Sequence, residues 1–397
     1  MTNFKTEIKT KLDEIASELI KDDYDPGGIG LLEGKAGIVL FLFLYGHYTE
    51  DQTYGEKASE LLHKCVETID DPKNNVSVNY SQGLSGLAWT LDFLARNDYI
   101  ERVKLFEPFD EIICQSMLNN FANKNWDALH GGIGICIYLF TRIENDDVKT
   151  AISKAVNILE EQGVEDDKTV KWETYNNLTK EFGYNFGLAH GIPSIVVFLV
   201  NCFEKGIEKE TCMRLLKKSV NYLVSNMVEG ADNVFPRLIT KDNSVKAISR
   251  LGWCYGDPGV LVALIQANRV LKTLDETIKF TLKKMSPRKS DSNNGIVDSC
   301  ICHGSVGIMH IYHYISLSGY KDYFDSKILD YWISSVLDMA TFKGGPAGYK
   351  TYIQDEEHET PKYRSAFGLL EGISGNGLCL LSLLTRRLKW SECIYIS

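Results

Sequence analysis

No stretch of this sequence is apolar for long enough to cross a bilayer. The longest such run, Ala36 to Tyr45, falls well short of the ~20 residues a spanning helix needs. The opening residues, MTNFKTEIKTKLDEIASELI, are charged throughout and contain no apolar h-region, which excludes a signal peptide. There is no basic stripe either: the net charge is −10, with acids and bases interspersed, so a nucleic-acid surface is not expected. These absences predict a soluble, cytoplasmic protein without a transmembrane segment. A disulfide framework is also not expected. The ten cysteines (65, 114, 136, 202, 212, 254, 300, 302, 379 and 393) belong to a long cytosolic chain in which thiols stay reduced. Cys136 and Cys379, inside apolar helical runs, read as small core residues. Clustered cysteines then point to metal or catalysis.

What the sequence does have is a repeat. A Gly-x-x-Gly punctuation recurs at Glu33-Gly-Lys-Ala-Gly37, Gln82-Gly-Leu-Ser-Gly86, His130-Gly-Gly-Ile-Gly134, His190-Gly-Ile-Pro-Ser194, Tyr255-Gly-Asp-Pro-Gly259, His303-Gly-Ser-Val-Gly307 and Glu371-Gly-Ile-Ser-Gly375. The first glycines, at 34, 83, 131, 191, 256, 304 and 372, stand 49, 48, 60, 65, 48 and 68 residues apart. An apolar run of helical length follows each motif, and segments such as Ala58, Leu61, Leu62, Cys65 and Val66 repeat with helical spacing between motifs. The unit is two helices and a loop, with the glycines opening the apolar helix. They allow close backbone approach and positive φ at the loop-to-helix junction.

Seven such hairpins predict an all-α fold, an α/α toroid with the apolar helices inside and the amphipathic ones outside, forming one domain over 1–397. An open solenoid would need polar caps, but the last copy, Leu369 to Leu384, is as apolar as any. The longer intervals hold the extra segments Val164–Tyr184, Val228–Ser249 and Phe342–Ala366. Alternation in Lys168-Thr-Val-Lys-Trp172 and Tyr349-Lys-Thr-Tyr-Ile353 predicts short strands there, in loops at one mouth of the ring that could shape a substrate channel.

The residue before each first glycine is polar in every copy: Glu33, Gln82, His130, His190, Tyr255, His303 and Glu371. A helix-opening glycine does not require this, and in a ring these positions converge at one end. One residue earlier the column reads Leu32, Ser81, Leu129, Ala189, Cys254, Cys302 and Leu370. Cysteine occurs only in the neighbouring fifth and sixth copies. Thiolate and imidazole are preferred zinc ligands, and a catalytic Zn²⁺ takes three protein ligands with a fourth position open. Cys254, Cys302 and His303 make such a set by repeat symmetry; Cys300, Cys302 and His303 are the local alternative.

These residues carry a resemblance. Ala189-His-Gly191, Trp253-Cys-Tyr-Gly256, Cys302-His-Gly304 and Gly368-Leu-Leu-Glu-Gly-Ile-Ser-Gly375 resemble the lanthionine synthetase C-like (LanC) family, over nearly the whole chain and at the size of its stand-alone bacterial cyclases. The resemblance implies a toroid of fourteen helices with a small β-containing extension. It implies thioether ring closure, in which a cysteine thiol of a dehydrated precursor peptide adds to dehydroalanine or dehydrobutyrine. By the same resemblance His190 is the acid or base, Tyr255 follows the first zinc cysteine, Arg250 holds the enolate oxygen, and Asp127 orients His190 or Arg250. His130 has no role in it and reads as a satisfied structural histidine. The implied partners are the precursor with its leader, a dehydratase and an exporter complex, through which the protein would sit peripherally at a membrane.

Three other readings compete. A prenyltransferase β-subunit would want an Asp-Cys-His zinc set. A glycosidase would use two carboxylates, for which Glu33 and Glu371 are available, but would leave the cysteines unexplained. A glutathione-transferring or peptide-binding relative would keep the same zinc residues.

Overall fold

The computed structural model describes residues 4–21, 24–25, 27–101, 107–176, 181–246, 248–353 and 362–396. Among them are fourteen α-helices: α1 Lys5–Leu19, α2 Lys35–Thr49, α3 Gln52–Asp70, α4 Leu84–Arg96, α5 Asp110–Ala122, α6 Gly132–Leu139, α7 Asp146–Glu161, α8 Ile192–Glu204, α9 Lys209–Ser225, α10 Asp257–Leu271, α11 Asp275–Met285, α12 Ser305–Ser316, α13 Lys327–Asp338 and α14 Ile373–Thr385. None is long and apolar enough to cross a membrane.

The even-numbered helices are the apolar ones, each opened by a motif. Gly34, Gly83, Gly131, Gly191, Gly256, Gly304 and Gly372 are the N-caps of α2, α4, α6, α8, α10, α12 and α14. The odd-numbered helices bury one stripe, as α7 does with Val148, Ala151, Ile152, Ala155, Val156 and Leu159.

Why glycine opens these helices is only partly as expected. Positive φ occurs at Gly256 (φ +128) and at none of the other six N-caps. The shared reason is steric. A Cβ on Gly34, Gly83, Gly131, Gly191 or Gly256 would collide with the carbonyl six residues upstream, and one on Gly37, Gly86, Gly259, Gly307 or Gly375 would do the same. The loop folds back so tightly that its own backbone occupies the side-chain position. In the fourth copy Ser194 replaces the second glycine, and its Oγ donates to the Gly191 carbonyl at 2.8 Å. Gly307→Ala, driven against Ile301, is expected to lower unfolding free energy by about 1–3 kcal/mol, the usual cost of overpacking. Gly319→Ala, with open space around its Cβ, should stay within about 0.5 kcal/mol of wild type. Urea midpoints at constant m-value check both, and equal midpoints for the two variants would remove the steric account.

The chain divides into two compact units. The first takes Met1–Val103, Ser290–Lys321 and Asp325–Trp390, and so holds α1–α4 and α12–α14. Within it the last repeat meets the first: α14 packs on α1 and α2. The Leu370 N–H donates to the Leu32 carbonyl at 2.9 Å, Leu32 N–H to Ser81 at 3.0 Å and Cys302 N–H to Leu370 at 3.1 Å. Motif loops six, seven, one and two are thereby joined through backbone bonds.

The second unit takes Lys104–Lys289, Asp322–Phe324 and Ser391–Ser397, with α5–α11. Its loops are joined alike: Ala128 N–H donates to the Ala189 carbonyl at 3.0 Å and Ala189 N–H to Cys254 at 3.4 Å. The C-terminal segment packs beside α10, where Trp253 Nε1 donates to the Ile394 carbonyl at 2.9 Å.

The strands fall in the three long intervals, as expected. β1 (Val164–Glu165) pairs with β2 (Val170–Lys171). β3 (Thr174–Asn176), β4 (Glu181–Asn185), β5 (Leu238–Thr240) and β6 (Val245–Lys246) form an antiparallel sheet in that order, with Tyr184 opposite Ile239 and Ile239 opposite Val245. β7 (Thr351–Ile353) and β8 (Lys362–Arg364) form a hairpin with Tyr352 opposite Tyr363. Positions 177–180, 247 and 354–361 of these intervals lie outside the described residues.

Candidate active site

In the second unit the tight loops bring together Asp127, His190, Tyr255, Arg250 and Cys254. His190 Nδ1 lies 2.5 Å from Asp127 Oδ2. Asp127 is itself held by two backbone donors, Leu129 and His130 N–H, each 2.8 Å from its Oδ1. Of the two expected partners for Asp127, the carboxylate faces His190. Burial alone would lower the pKa of His190; the charge and hydrogen bond of Asp127 outweigh it and raise the value above the usual one. Burial pushes Asp127 up, but His190 and the backbone donors hold it below the ordinary carboxylate range. With Nδ1 engaged, Nε2 is the nitrogen left for proton transfer.

The Tyr255 ring stands 5.4 Å from that of His190, and its hydroxyl accepts from Asn185 Nδ2 at 3.2 Å. Burial pushes the phenol up to about 12, so it stays protonated at neutral pH. Arg250 Nη2 is 3.2 Å from Cys254 Sγ, and its guanidinium lies 5.9 Å from the centre of the Tyr255 ring. The His130 side chain is exposed, and its backbone N–H is one of the donors that hold Asp127.

In the first unit stand Cys302 and His303, 8% and 7% exposed. Ligand atoms of Cys302, His303 and Glu371 lie within 4.8 Å of one another, as do those of Asp298, Cys300 and His303. Thiol, imidazole and carboxylate at this spacing can hold a metal ion. His303 Nε2 is 3.1 Å from Asp298 Oδ2. Burial would raise the pKa of Asp298, but His303 and the N–H groups of Tyr352 and Cys300 hold it below its usual value. Cys300 is used differently from Cys302, since its Sγ accepts the His303 backbone N–H at 3.5 Å. All ten cysteines are buried, and none forms a disulfide among the described residues.

Two polar motif residues turn out to tie loops together. Glu33 accepts from Ser81 Oγ at 2.9 Å and Gln82 Nε2 at 2.6 Å, while Glu371 accepts from Arg364 Nη2 at 2.6 Å. A cavity of about 620 Å³ lies at the C-terminal ends of α2, α4 and α14, away from their motifs, and contains none of the candidate residues.

Sequence reasoning missed Asp298 and Asn185, although a column of the repeat contains both. Six residues before the first glycine the copies read Gly28, Ser77, Asn125, Asn185, Arg250, Asp298 and Ala366. Asn185 bonds the Tyr255 hydroxyl, Arg250 meets Cys254, and Asp298 meets His303. The fold-back that excludes a side chain from the glycine sets this column beside the chemistry.

The Lanthionine synthetase C-like protein family matches residues 25–394. The nisin biosynthesis protein NisC of Lactococcus lactis subsp. lactis is 24% identical over 389 residues, covering 91% of this chain and 86% of that protein. A solved structure of nisin cyclase superposes with a TM-score of 0.70 at 20% identity, over 100% of this chain and 98% of that one. That likeness shows the fold, an α/α toroid. A match this extensive, through every motif loop, shows that the chain belongs to the lanthionine synthetase C-like family.

Proposed function

We propose that this protein is a zinc-dependent lanthipeptide cyclase, closing lanthionine and methyllanthionine rings in a dehydrated precursor peptide. The observation that carries this reading is the pair of motif loops on a family scaffold: one presents thiol and imidazole at Cys302 and His303, the other a carboxylate-backed imidazole at His190. Cys302 and His303 would hold the zinc, with Cys254 as third ligand on the repeat symmetry of the sequence. The donor set suits the metal, and the Asp298 carboxylate behind His303 is the usual second partner of a metal histidine. When bound, zinc would favour the thiolate form of a substrate sulfur.

The remaining work belongs to side chains. Sulfur forms a bond to the β-carbon, and the electron pair of the double bond moves toward the α-carbon and its carbonyl. Arg250 supplies positive charge where that negative charge develops. His190, whose protonated form Asp127 favours, donates the proton from Nε2 to the α-carbon and regains one from solvent or from the next thiol. Tyr255, neutral and flanking His190, shapes the proton path. A dehydratase must act on the peptide beforehand.

The test is single-turnover cyclisation of a dehydrated peptide from about pH 5.5 to about pH 8.5, with unreacted thiols alkylated and counted by mass. Uncatalysed addition falls about tenfold per unit below the thiol pKa of ~8.5. The zinc enzyme should escape that slope, and metal-stripped enzyme should return to it. A full free-thiol slope in the zinc enzyme, with chemistry limiting, would sink the reading.

A further inference from the structure

We propose that Asp298 is a positioning residue for the metal histidine, and that its carboxylate also fastens the β7–β8 hairpin to the metal-binding loop. This inference rests on the zinc reading above. Asp298 Oδ2 stands 3.1 Å from His303 Nε2 and accepts the backbone N–H of Tyr352, in β7, at 2.8 Å. Its Oδ1 accepts the Cys300 N–H at 3.1 Å. The side chain is fully buried. An imidazole that donates one N–H to a carboxylate is fixed in tautomer and ring orientation and presents its other nitrogen to a metal with greater basicity. Here that nitrogen is Nδ1.

The carboxylate accepts two backbone N–H groups and has His303 Nε2 beside it, so both of its oxygens are engaged. It occupies the same repeat position as Arg250, whose side chain also reaches the residues just before its own motif glycine. The hairpin also holds the seventh motif loop, at Glu371, and the start of the metal-binding loop, at Val297. Thr351 Oγ1 donates to the Glu371 carbonyl, Arg364 Nη2 to Glu371 Oε2 at 2.6 Å, and Tyr363 OH to the Val297 carbonyl at 3.4 Å. Metal binding and hairpin order share one anchor, so each must stabilise the other to the same extent.

The experiment measures zinc affinity by competition with a chromophoric chelator, cobalt(II) spectra, and hydrogen exchange at the Tyr352 amide. Asp298→Asn keeps the shape and one acceptor oxygen but removes the charge. It is expected to weaken zinc by about 10–100-fold, the usual effect of losing an outer-shell partner. The thiolate-to-cobalt bands should keep their intensity, and the Tyr352 amide should exchange faster. Cys300→Ala should leave zinc affinity and those bands unchanged. Unmodified protein offers a test that needs no variant: zinc should slow exchange at Tyr352. Asp298→Asn with wild-type affinity, a changed cobalt coordination in that variant, or a Tyr352 amide indifferent to zinc would each overturn the proposal. Wild-type protein that binds no zinc would sink the parent reading as well, so the two failures are distinguishable.

Discussion

His190→Asn is expected to slow ring closure by ~10²-fold or more, the scale of a lost general acid or base, with zinc content and urea midpoint close to wild type. The motif position that carries His303 in the sixth copy carries His190 in the fourth, but the residue before it is Ala189, buried and without a ligand atom. The His190 partner is Asp127 at 2.5 Å. That pairing raises the folded pKa of the imidazole above its ordinary ~6.5. Its contribution to stability is therefore complete below ~6.5 and lost as pH rises through the folded value. Asp127, depressed below ~3.9, contributes fully above that value and loses the contribution as pH falls through its folded pKa. The pair is most stabilising between those two ordinary values. As a general acid, His190 gives a rate profile whose alkaline limb lies above pH ~6.5, and Asp127→Asn should move that limb downward while slowing the reaction. Ring formation unchanged in His190→Asn, or a variant that loses its zinc, would remove His190 from proton transfer.

Cys302→Ala is expected to lose most of its zinc, and Cys300→Ala to retain it, by metal analysis after dialysis. Loss of an outer partner costs about 10–100-fold in affinity, so loss of a direct thiolate should exceed that range. The two cysteines are two residues apart and both buried, and Cys300 has the fully enclosed position. Their geometry differs: the Cys300 sulfur takes the backbone N–H of His303, whereas Cys302 stands with His303 and Glu371. Cys254→Ala should behave like Cys302→Ala. Equal depletion in the Cys300 variant would move the metal to the group formed by Asp298, Cys300 and His303.

The repeat was legible because one physical demand recurs seven times. A loop that folds back onto the carbonyl six residues upstream needs glycine, and an interior helix needs a continuous apolar run; both leave marks at a fixed spacing. The strands were legible for a similar reason, as local alternation inside intervals too long for a hairpin of helices. Positive φ was a poor general reason for the glycines, since a sequence cannot distinguish torsional demand from a crowded Cβ. Glu33, available in the sequence as a glycosidase carboxylate, binds Ser81 and Gln82 of the next loop, contacts between residues 48 and 49 positions apart. Asp298 was hidden because its column is chemically mixed, running from glycine and alanine to arginine and aspartate. A column whose residues each serve a different neighbour has no common signature, even though the backbone gives them one place.

The division of the chain also sets an order of assembly. Apart from 322–324 and 391–397, the second unit is one uninterrupted stretch, Lys104–Lys289, whose loops can join as soon as they leave the ribosome. The first unit depends on contacts such as Leu370 to Leu32, which must wait for nearly the whole chain. Closing so long a loop carries a large entropic cost before any contact repays it, so such pairings form late. During synthesis α1 and α2 therefore expose the apolar faces that α14 will cover, the situation in which nascent chains most need protection from aggregation. Disruption of α14 should consequently be felt at α1 and α2, hundreds of residues away along the chain.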